Sequence, residues 1–463
     1  MKKQWYDYIP HPVVMLFGML LMAAAMSYII PAGSFDRVEV DGRMSVVPGS
    51  FKAIPSDPLS LMDLFMALPL GFKTAVDIIF IVLASGIMFG FMEKSGAIEN
   101  AIGTLVKKLG LERKYLIVVI MTFVFGSLGV FVGYENNIAM VPIACLLSLA
   151  LGGDLVLAAG ISVGAITVGF GLSPVNAYTI GTGHKIAQLP LFSGWELRTV
   201  LCLLSLSILA YYNIRYFKKI SDSPEISLAK GIDIQGFALS KSISEYTMGT
   251  KDKMIFVSFI SAIIVILYGV FVHHWFINQI SAIFCILTVV IGLINRNTSK
   301  EFGTIVLDSV STVAPGAFMV GLATAIKVAL EMGQISDTIS HFLSQSLIHL
   351  PLEFSAVGMA LAQAFMNFII PSGSGQALAT LPVMVPVGEV LGMTRQSTIF
   401  AFQVGDGVSN LINPAHGGIV AMLSMCRIPF DKWLRFIFPL FIILLLVSLT
   451  FVAISVPMHY GPF

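Results

Sequence analysis

Two short polar stretches interrupt long apolar runs and carry side chains suited to binding charged ligands. The first holds Tyr134, Glu135, Asn136 and Asn137, and the second holds Ser372, Gly373, Ser374, Gly375 and Gln376. Amide, hydroxyl and backbone carbonyl oxygens suit Na⁺, whereas free N–H groups at a helix start suit an anion. Glycines let the backbone turn toward either ligand. The alternative is that both stretches are simple turns.

Glu135 is the strongest single candidate for a functional residue. An ionisable group inside a membrane is costly and is by default a sign of function. It could bind a substrate ammonium, bind Na⁺, or carry a proton once desolvation raises its pKa. A solvated turn carboxylate is the alternative interpretation.

Further polar residues follow two later interruptions of apolar runs. The candidate ligands there are Ser173, Asn176, Asp406, Asn410, Asn413 and His416. Pro174 and Pro414 each remove a backbone donor and free a carbonyl for coordination. Asp406 is either a coupling-ion ligand or an acid that caps a half-helix. His416 is either a pH-sensitive ligand or an interhelical hydrogen-bonding group.

These interruptions recur along the chain at a constant spacing. Gly133 and Gly373, Pro142 and Pro382, and Pro174 and Pro414 each lie 240 positions apart, as do further pairs. Asp406 and Asn410 have no polar counterpart at that spacing. Duplicated breaks in hydrophobic segments are typical of the substrate site of a secondary transporter.

The composition excludes a soluble fold and several classes of function. Hydrophobic residues make up 56% of the 463 residues and charged residues 11%, and the mean hydropathy is +0.89. A net charge of +1 gives no basic surface for nucleic acid. The four cysteines lack CxxC spacing and are predicted to be buried apolar residues, so neither a metal nor a disulfide is expected. No nucleotide-binding GxxxxGK[ST] motif and no HExxH motif occurs, so we expect no ATP hydrolysis, no enzyme and no cofactor beyond Na⁺ or H⁺.

The apolar runs predict an all-α polytopic membrane protein. Spans that are long enough to cross the hydrocarbon core are expected near residues 12–30, 76–93, 155–181, 197–216, 254–272, 277–295, 312–330, 396–425 and 434–456. Two further stretches, 116–152 and 353–392, have polar tips and halves slightly short for a span, which predicts re-entrant hairpins. The halves are residues 1–218 and 253–463, joined by a cytoplasmic linker, 219–252.

The distribution of Lys and Arg predicts the orientation of these segments. The segment 94–114 is rich in Lys and Arg and is placed in the cytoplasm with the N-terminus, whereas 332–352 has neither and is placed outside. The C-terminus is then outside, and the hairpins enter from opposite faces as inverted repeats. The loop 31–62 is outside, with a short hairpin around Asp41 and Gly42.

Three further charged or titratable residues have predicted positions. His184 and Lys185 are expected near the outer face, as part of a gate or an interface. Lys327 is expected to snorkel to the membrane surface, to pair with Glu331 or to occupy the site.

The segment from Pro371 to Phe436, with GDGVSNLINP as its most specific part, resembles YfcC-like membrane proteins. GYENNIAMVPI and GFGLSPVNAYTIG are similar to the same group, which is grouped with C4-dicarboxylate anaerobic carriers and basic amino acid antiporters of the ion transporter superfamily. The resemblance implies a bacterial inner-membrane secondary carrier, a homodimer, and an elevator movement of a transport domain that holds both hairpins.

The tips differ from the Ser-Asn-Thr pattern by which the superfamily holds dicarboxylates. Glu135 would repel a dianion and attract an ammonium or guanidinium group. We therefore expect the solute to be an amino acid, with a basic amino acid as the narrower option, moved by exchange or by ion coupling. A C4-dicarboxylate carrier coupled to Na⁺ or H⁺ is the alternative, and an ion channel or intramembrane enzyme is a remote one.

Overall fold

A computed structural model describes residues 12–40, 43–47, 49–237, 245–273, 275, 277–347 and 351–461. The chain is mostly helical. The helices of the first half are α1 (Pro12–Ile29), α2 (Leu61–Thr74), α3 (Val76–Ser95), α4 (Ala97–Leu109), α5 (Lys114–Val132), α6 (Val141–Ala150), α7 (Leu155–Ala159), α8 (Ala165–Gly171), α9 (Thr182–Ile186) and α10 (Trp195–Asp222).

The second half contains nine further helices within its described residues. They are α11 (Thr250–His273), α12 (Ile277–Asn295), α13 (Ser299–Met332), α14 (Ser336–Leu347), α15 (Leu352–Ile369), α16 (Gly373–Leu391), α17 (Arg395–Ser409), α18 (Gly417–Met425) and α19 (Phe430–Ser455). Each of the two segments predicted as hairpins contains two consecutive helices, α5 and α6 in the first and α15 and α16 in the second. Both predicted broken helices are interrupted, after Gly171 and after Ser409.

Among the described residues, six helices are long and apolar enough to cross a membrane, so the chain is a multi-pass membrane protein. They are α3, α5, α10, α12, α13 and α19. Five of them fall on predicted spans. The exception is α5, because the first half of the predicted hairpin was expected to be too short, yet Lys114–Phe131 reaches the required length and hydropathy. Helix α5 begins at Lys114, before the predicted start at residue 116 and directly after the 3₁₀ turn Leu111–Arg113.

The loop between α1 and α2 forms two small antiparallel ladders. Strand β1 (Gly33–Ser34) pairs with β4 (Lys52–Ala53), and β2 (Arg37–Val40) pairs with β3 (Arg43–Val46) in the register Val40 to Arg43. This pairing confirms the predicted hairpin, although Asp41 and Gly42 themselves lie outside the described residues. We call residues 31–56 the docked loop.

The docked loop is fixed to α14. Arg37 donates two hydrogen bonds to the Asp337 carboxylate, at 2.8 and 2.9 Å, and the Phe35 amide donates to the same group at 3.0 Å. The Phe51 ring stacks on His341 at a centroid distance of 4.1 Å. Residues about 300 positions apart in sequence are thereby joined at one face of the molecule.

Glycines allow the helices around both breaks to touch at the backbone. A Cβ on Gly129 of α5 would lie 2.3 Å from the Ile166 carbonyl oxygen of α8, and one on Gly405 of α17 would lie 2.3 Å from the Ala360 carbonyl oxygen of α15. Small residues are the usual means of close helix packing in membranes. Each broken helix is thus held against the first helix of its own hairpin.

The structure shows the surroundings of Lys327 and of the four cysteines, whose positions were predicted from the sequence. Lys327 pairs with Glu331 one turn along α13 at 3.5 Å, which confirms one of the structural alternatives. Cys145, Cys202 and Cys426 are buried as predicted, but Cys285 is exposed, because it lies on the outer side of the apolar helix α12. The sulfur atoms of Cys145 and Cys426 lie 3.4 Å apart.

Candidate binding site at the helix breaks

The first break is held open by its own polar side chains. After α8 ends at Gly171, the Asn176 amide donates to the Phe170 carbonyl at 3.1 Å. The Ser173 hydroxyl donates to the Val130 carbonyl of α5 at 3.2 Å. Pro174 cannot donate a backbone hydrogen bond. Both predicted ligands, Ser173 and Asn176, therefore brace the break and tie it to the first hairpin.

The second break is braced in a similar way. The Asn413 amide donates to the Asn367 carbonyl of α15 at 2.7 Å, and its oxygen accepts from the Ala415 amide at 2.9 Å. The Asn367 amide in turn donates to the Asn410 oxygen at 2.8 Å and to the Asp406 carbonyl at 3.0 Å. Asn410 and Asn413 thus fasten the break to the second hairpin.

The two broken helices cross at a pair of glycines. A Cβ on Gly407 of α17 would lie 2.3 Å from the Gly171 carbonyl oxygen, and one on Gly171 would lie 2.5 Å from the Gly407 Cα. No larger residue fits at either position without moving the other helix. The crossing places Asp406 beside the first break.

The second tip approaches the same point. Ser372 caps α16, and its hydroxyl oxygen accepts from the Gly375 amide at 3.3 Å. A Cβ on Gly373 would lie 2.5 Å from the Thr179 methyl carbon and 3.3 Å from an Asp406 carboxylate oxygen. The structure therefore brings the second tip and both breaks together around Asp406. Ser374 and Gly375 are partly exposed beside Gly373.

Asp406 is buried, with 1% of its surface exposed, and neither carboxylate oxygen has a hydrogen-bond partner among the described residues. Other buried side-chain oxygens, on the elements that meet at this point, also have no partner there: the Thr179 hydroxyl and the side-chain carbonyls of Asn367, Gln376 and Gln403. Buried polar groups in proteins are nearly always hydrogen-bonded. A set of unpaired oxygens around a carboxylate is what a bound cation would satisfy. We call these five residues the Asp406 cluster.

The first tip meets the second break from the other side. The Tyr134 hydroxyl shares a hydrogen bond with the Thr167 hydroxyl at 2.9 Å, and its ring lies edge-on to His416 at 4.7 Å. The Asn137 amide donates to the Gly133 carbonyl at 2.6 Å and so shapes the tip. Glu135 opens the 3₁₀ turn Glu135–Met140 and is only partly buried. The side chain of Asn136 lies outside the described part.

His416 and His184 have different surroundings. His416 is buried at the start of α18, and its Nδ1 has no partner among the described residues. His184 accepts from the Phe192 amide at 2.8 Å through Nδ1, and its Nε2 lies 3.2 Å from the Gln396 amide nitrogen. The contacts of His184 thus join α9 to the 188–194 loop and α17, outside the Asp406 cluster.

Several members of the Asp406 cluster were not predicted from the sequence. Thr179, Asn367 and Gln403 were missed because they look like ordinary polar residues within apolar runs. An uncharged amide in an apolar membrane helix was the available signal, since such groups usually face the interior of the bundle.

Comparison with known proteins identifies the family. The C4-dicarboxylate anaerobic carrier family matches residues 9–457. The Escherichia coli (strain K12) protein YfcC, provisionally named a basic amino acid antiporter, is 28% identical over 92% of this chain and 92% of its own length. An uncharacterized protein from Haemophilus influenzae is 24% identical over 99% of both chains.

Two solved transporter structures are also similar. Neisseria gonorrhoeae MtrF, described with a class of antimetabolite efflux pumps, has 18% identity and a TM-score of 0.46 over 97% of this chain and 96% of its own. The Alcanivorax borkumensis YdaH transporter has 16% identity and a TM-score of 0.47 over 98% and 100%. From the match over residues 9–457, the chain belongs to the C4-dicarboxylate anaerobic carrier family, a family of membrane transporters.

Proposed function

We propose that this transporter moves an amino acid, preferentially a basic one, across the bacterial inner membrane by exchange or by coupling to Na⁺ or H⁺. The observation that carries the proposal is the carboxylate of Asp406, which is buried and has no hydrogen-bond partner among the described residues. An isolated buried charge is strongly unfavourable. A cationic group on the solute, a coupling ion or a proton would each relieve that cost.

The charge of the cluster argues against a dianion as the group bound at Asp406. Among the described residues, no Lys or Arg forms an ion pair with Asp406. Glu135, at the first tip, adds a second acid on the side where Tyr134 meets His416. An ammonium or guanidinium group is attracted by both acids. The solute's own carboxylate could face the free N–H groups at the start of α16.

The helix bounds support a duplicated architecture. Displacing α5, α6 and α10 by 240 positions places them on α15, α16 and α19, and the segment of α7 and α8 falls on α17. In each half, the residue before the break proline bonds a carbonyl in or next to the first hairpin helix: Ser173 to Val130, and Asn413 to Asn367. We propose inverted repeats with the N-terminus in the cytoplasm and the C-terminus outside.

The proposed working unit is a homodimer with an elevator movement. In each protomer the hairpins and broken helices, which converge on Asp406, would travel together as the transport domain. The burial of Asp406 supports this scheme, because a solute can reach that carboxylate only after the elements that enclose it move. This movement also supports alternating access rather than an open channel.

The test is the thermal stability of the purified protein with a panel of solutes. Arginine, lysine, ornithine, succinate and fumarate would each be added with and without Na⁺, at two pH values. A ligand that binds only the folded protein stabilises it by about 2.7 kcal/mol at a hundredfold excess over its Kd. We expect a shift with a basic amino acid that Asp406→Asn strongly reduces and that the exposed control Glu112→Gln retains in full.

The family description favours one alternative, a C4-dicarboxylate substrate. A Na⁺-dependent shift with succinate or fumarate, and none with amino acids, would replace the proposed substrate. Asp406 would then be an ion ligand. Loss of a basic amino acid shift in Glu135→Gln as well would assign the first tip to the solute, whereas its retention would leave Glu135 with an ion or structural role.

A further inference from the structure

A cavity with a volume of about 150 Å³ lies between α3 and α13 on one side and the start of α6 and the end of α18 on the other. None of its lining residues belongs to the Asp406 cluster. Four charged side chains line it: Glu93, Lys94, Asp308 and Arg427. Charged groups of both signs around one small cavity are suited to a ligand that also carries both signs.

The wall formed by α3 and α13 is tightly packed. A Cβ on Gly86 would lie 2.6 Å from a Val313 methyl carbon, and one on Gly90 would lie 2.0 Å from the Ser309 hydroxyl oxygen. Close packing leaves little freedom for the helices to shift. The cavity is therefore a preformed feature of this conformation.

The opposite wall includes the segment that joins the two halves of the chain. Arg427 donates to the Asp233 carboxylate at 3.1 Å and to the Gln235 carbonyl at 2.7 Å, and its guanidinium carbon lies 4.9 Å from the centre of the Phe237 ring. Gly236 has a φ of +85°, and a Cβ there would lie 2.3 Å from a Glu93 oxygen. Residues 233–237 therefore pack directly over Glu93.

The charges that remain available have a net negative sign. Arg427 lines the cavity and pairs with Asp233, so three acids, Glu93, Asp308 and Asp233, outnumber the two bases, Lys94 and Arg427. Apart from the Asp233–Arg427 pair, the cavity offers the carboxylates of Glu93 and Asp308 and the ammonium of Lys94. These charges are complementary to those of a basic amino acid, which has two cationic groups and one carboxylate. A dicarboxylate would meet two like charges, which is unfavourable.

The volume and position fit a solute in transit. A cavity of about 150 Å³ in another protein takes up benzene, so this one has room for the ammonium, Cα and carboxylate of an amino acid. Pro142, on its wall, follows the first-tip turn Glu135–Met140 closely. We infer that this cavity is a cytoplasmic antechamber that holds a basic amino acid before it reaches the Asp406 cluster. The inference rests on the proposed function.

The test is calorimetric titration of the full-length purified protein with L-lysine. Asp406→Asn, which removes the central site, would be studied alone and combined with Glu93→Gln and Asp308→Asn. We expect the single variant to keep a weaker lysine site, and the combined variant to weaken that site by at least about tenfold, since hydrogen bonds to charged groups are among the stronger ones. Glu112→Gln with Glu225→Gln, two exposed acids, is the matched control for the charge change and should leave binding unchanged.

The outcomes separate the two proposals. If the unchanged protein binds lysine but Asp406→Asn binds none, the antechamber is wrong and the proposed function stands. If Asp406→Asn retains binding that Glu93→Gln and Asp308→Asn do not weaken, the remaining site lies elsewhere and the antechamber is again wrong. If the unchanged protein binds no basic amino acid, the proposed substrate class fails and the antechamber with it.

Discussion

Asp406 illustrates how a binding residue can oppose stability. Its carboxylate oxygens lack partners among the described residues, and the side chain is buried. Leaving a buried polar group unsatisfied costs about 1–3 kcal/mol, and more for a charged group. Proteins keep such groups where function requires them, at the expense of stability.

Asp406→Asn should therefore stabilise the protein in the absence of solute while it removes solute binding at the Asp406 cluster. The amide is neutral and nearly isosteric, so it avoids the cost of burying a charge. We expect the free energy of unfolding to rise by about 1–3 kcal/mol, measured by thermal unfolding in detergent without ligands. A loss of stability would show that the carboxylate has a structural partner, such as a permanently bound cation.

Lys327 should be dispensable for transport. Its ammonium pairs with Glu331 at 3.5 Å, and 57% of the Glu331 side chain is exposed. Exposed pairs of this kind contribute about 0–1 kcal/mol. Lys327→Met should keep solute uptake in reconstituted vesicles and change stability by no more than this amount. A loss of uptake would place Lys327 in the transport path.

Part of the site could be predicted from residue types, and part could not. Asp406 and Asn410 stood out because polar groups rarely interrupt apolar runs without a reason. The roles of Ser173, Asn176 and Asn413 as braces of the breaks were not predictable, because they depend on which carbonyls the breaks leave free. The Gln403 amide donates to the Ser173 carbonyl because α17 packs on the first break. Sequence spacing does not reveal this contact.

At the scale of elements, the crossing of α8 and α17 sets the geometry of the site. Gly171 and Gly407 are in backbone contact there. The prolines and glycines made both breaks predictable, but the contact between the two breaks depends on how the halves pack.

Gly407→Ala should separate the two broken helices. The added methyl group would lie 2.3 Å from the Gly171 carbonyl oxygen, where overpacking costs about 1–3 kcal/mol. We expect lower thermal stability and weaker solute binding. Gly303→Ala is the matched control, since nothing lies within 4 Å of the added atom in α13. It should be neutral or stabilising, by up to about 1 kcal/mol. Equal effects of both changes would contradict the crossing.

At the scale of the whole molecule, the docked loop ties the first half to the second. Only 9% of the Asp337 side chain is exposed beneath Arg37, while the Lys52–Asp36 pair in the same loop is largely exposed. The hairpin in this loop was predictable from its turn residues, whereas its anchoring to α14 joins residues that sequence patterns do not connect.

Arg37→Ala should destabilise the protein more than Lys52→Ala does. Removing Arg37 leaves a nearly buried carboxylate with fewer partners and costs about 1–3 kcal/mol, while the exposed pair contributes about 0–1 kcal/mol. Thermal unfolding of the two variants side by side measures the difference. Similar losses would mean that the loop is held by its ring contacts and backbone bonds alone.

Helix α12 (Ile277–Asn295) has no helical counterpart among the described residues of the first half, where the matching position is the docked loop. On the proposed topology, this one span reverses the direction of everything that follows it. Without it, the second half would face the same way as the first, and both hairpins would enter from the cytoplasm. An ancestral duplication would thus have needed to gain or lose only one crossing to convert two like-facing copies into an antiparallel pair.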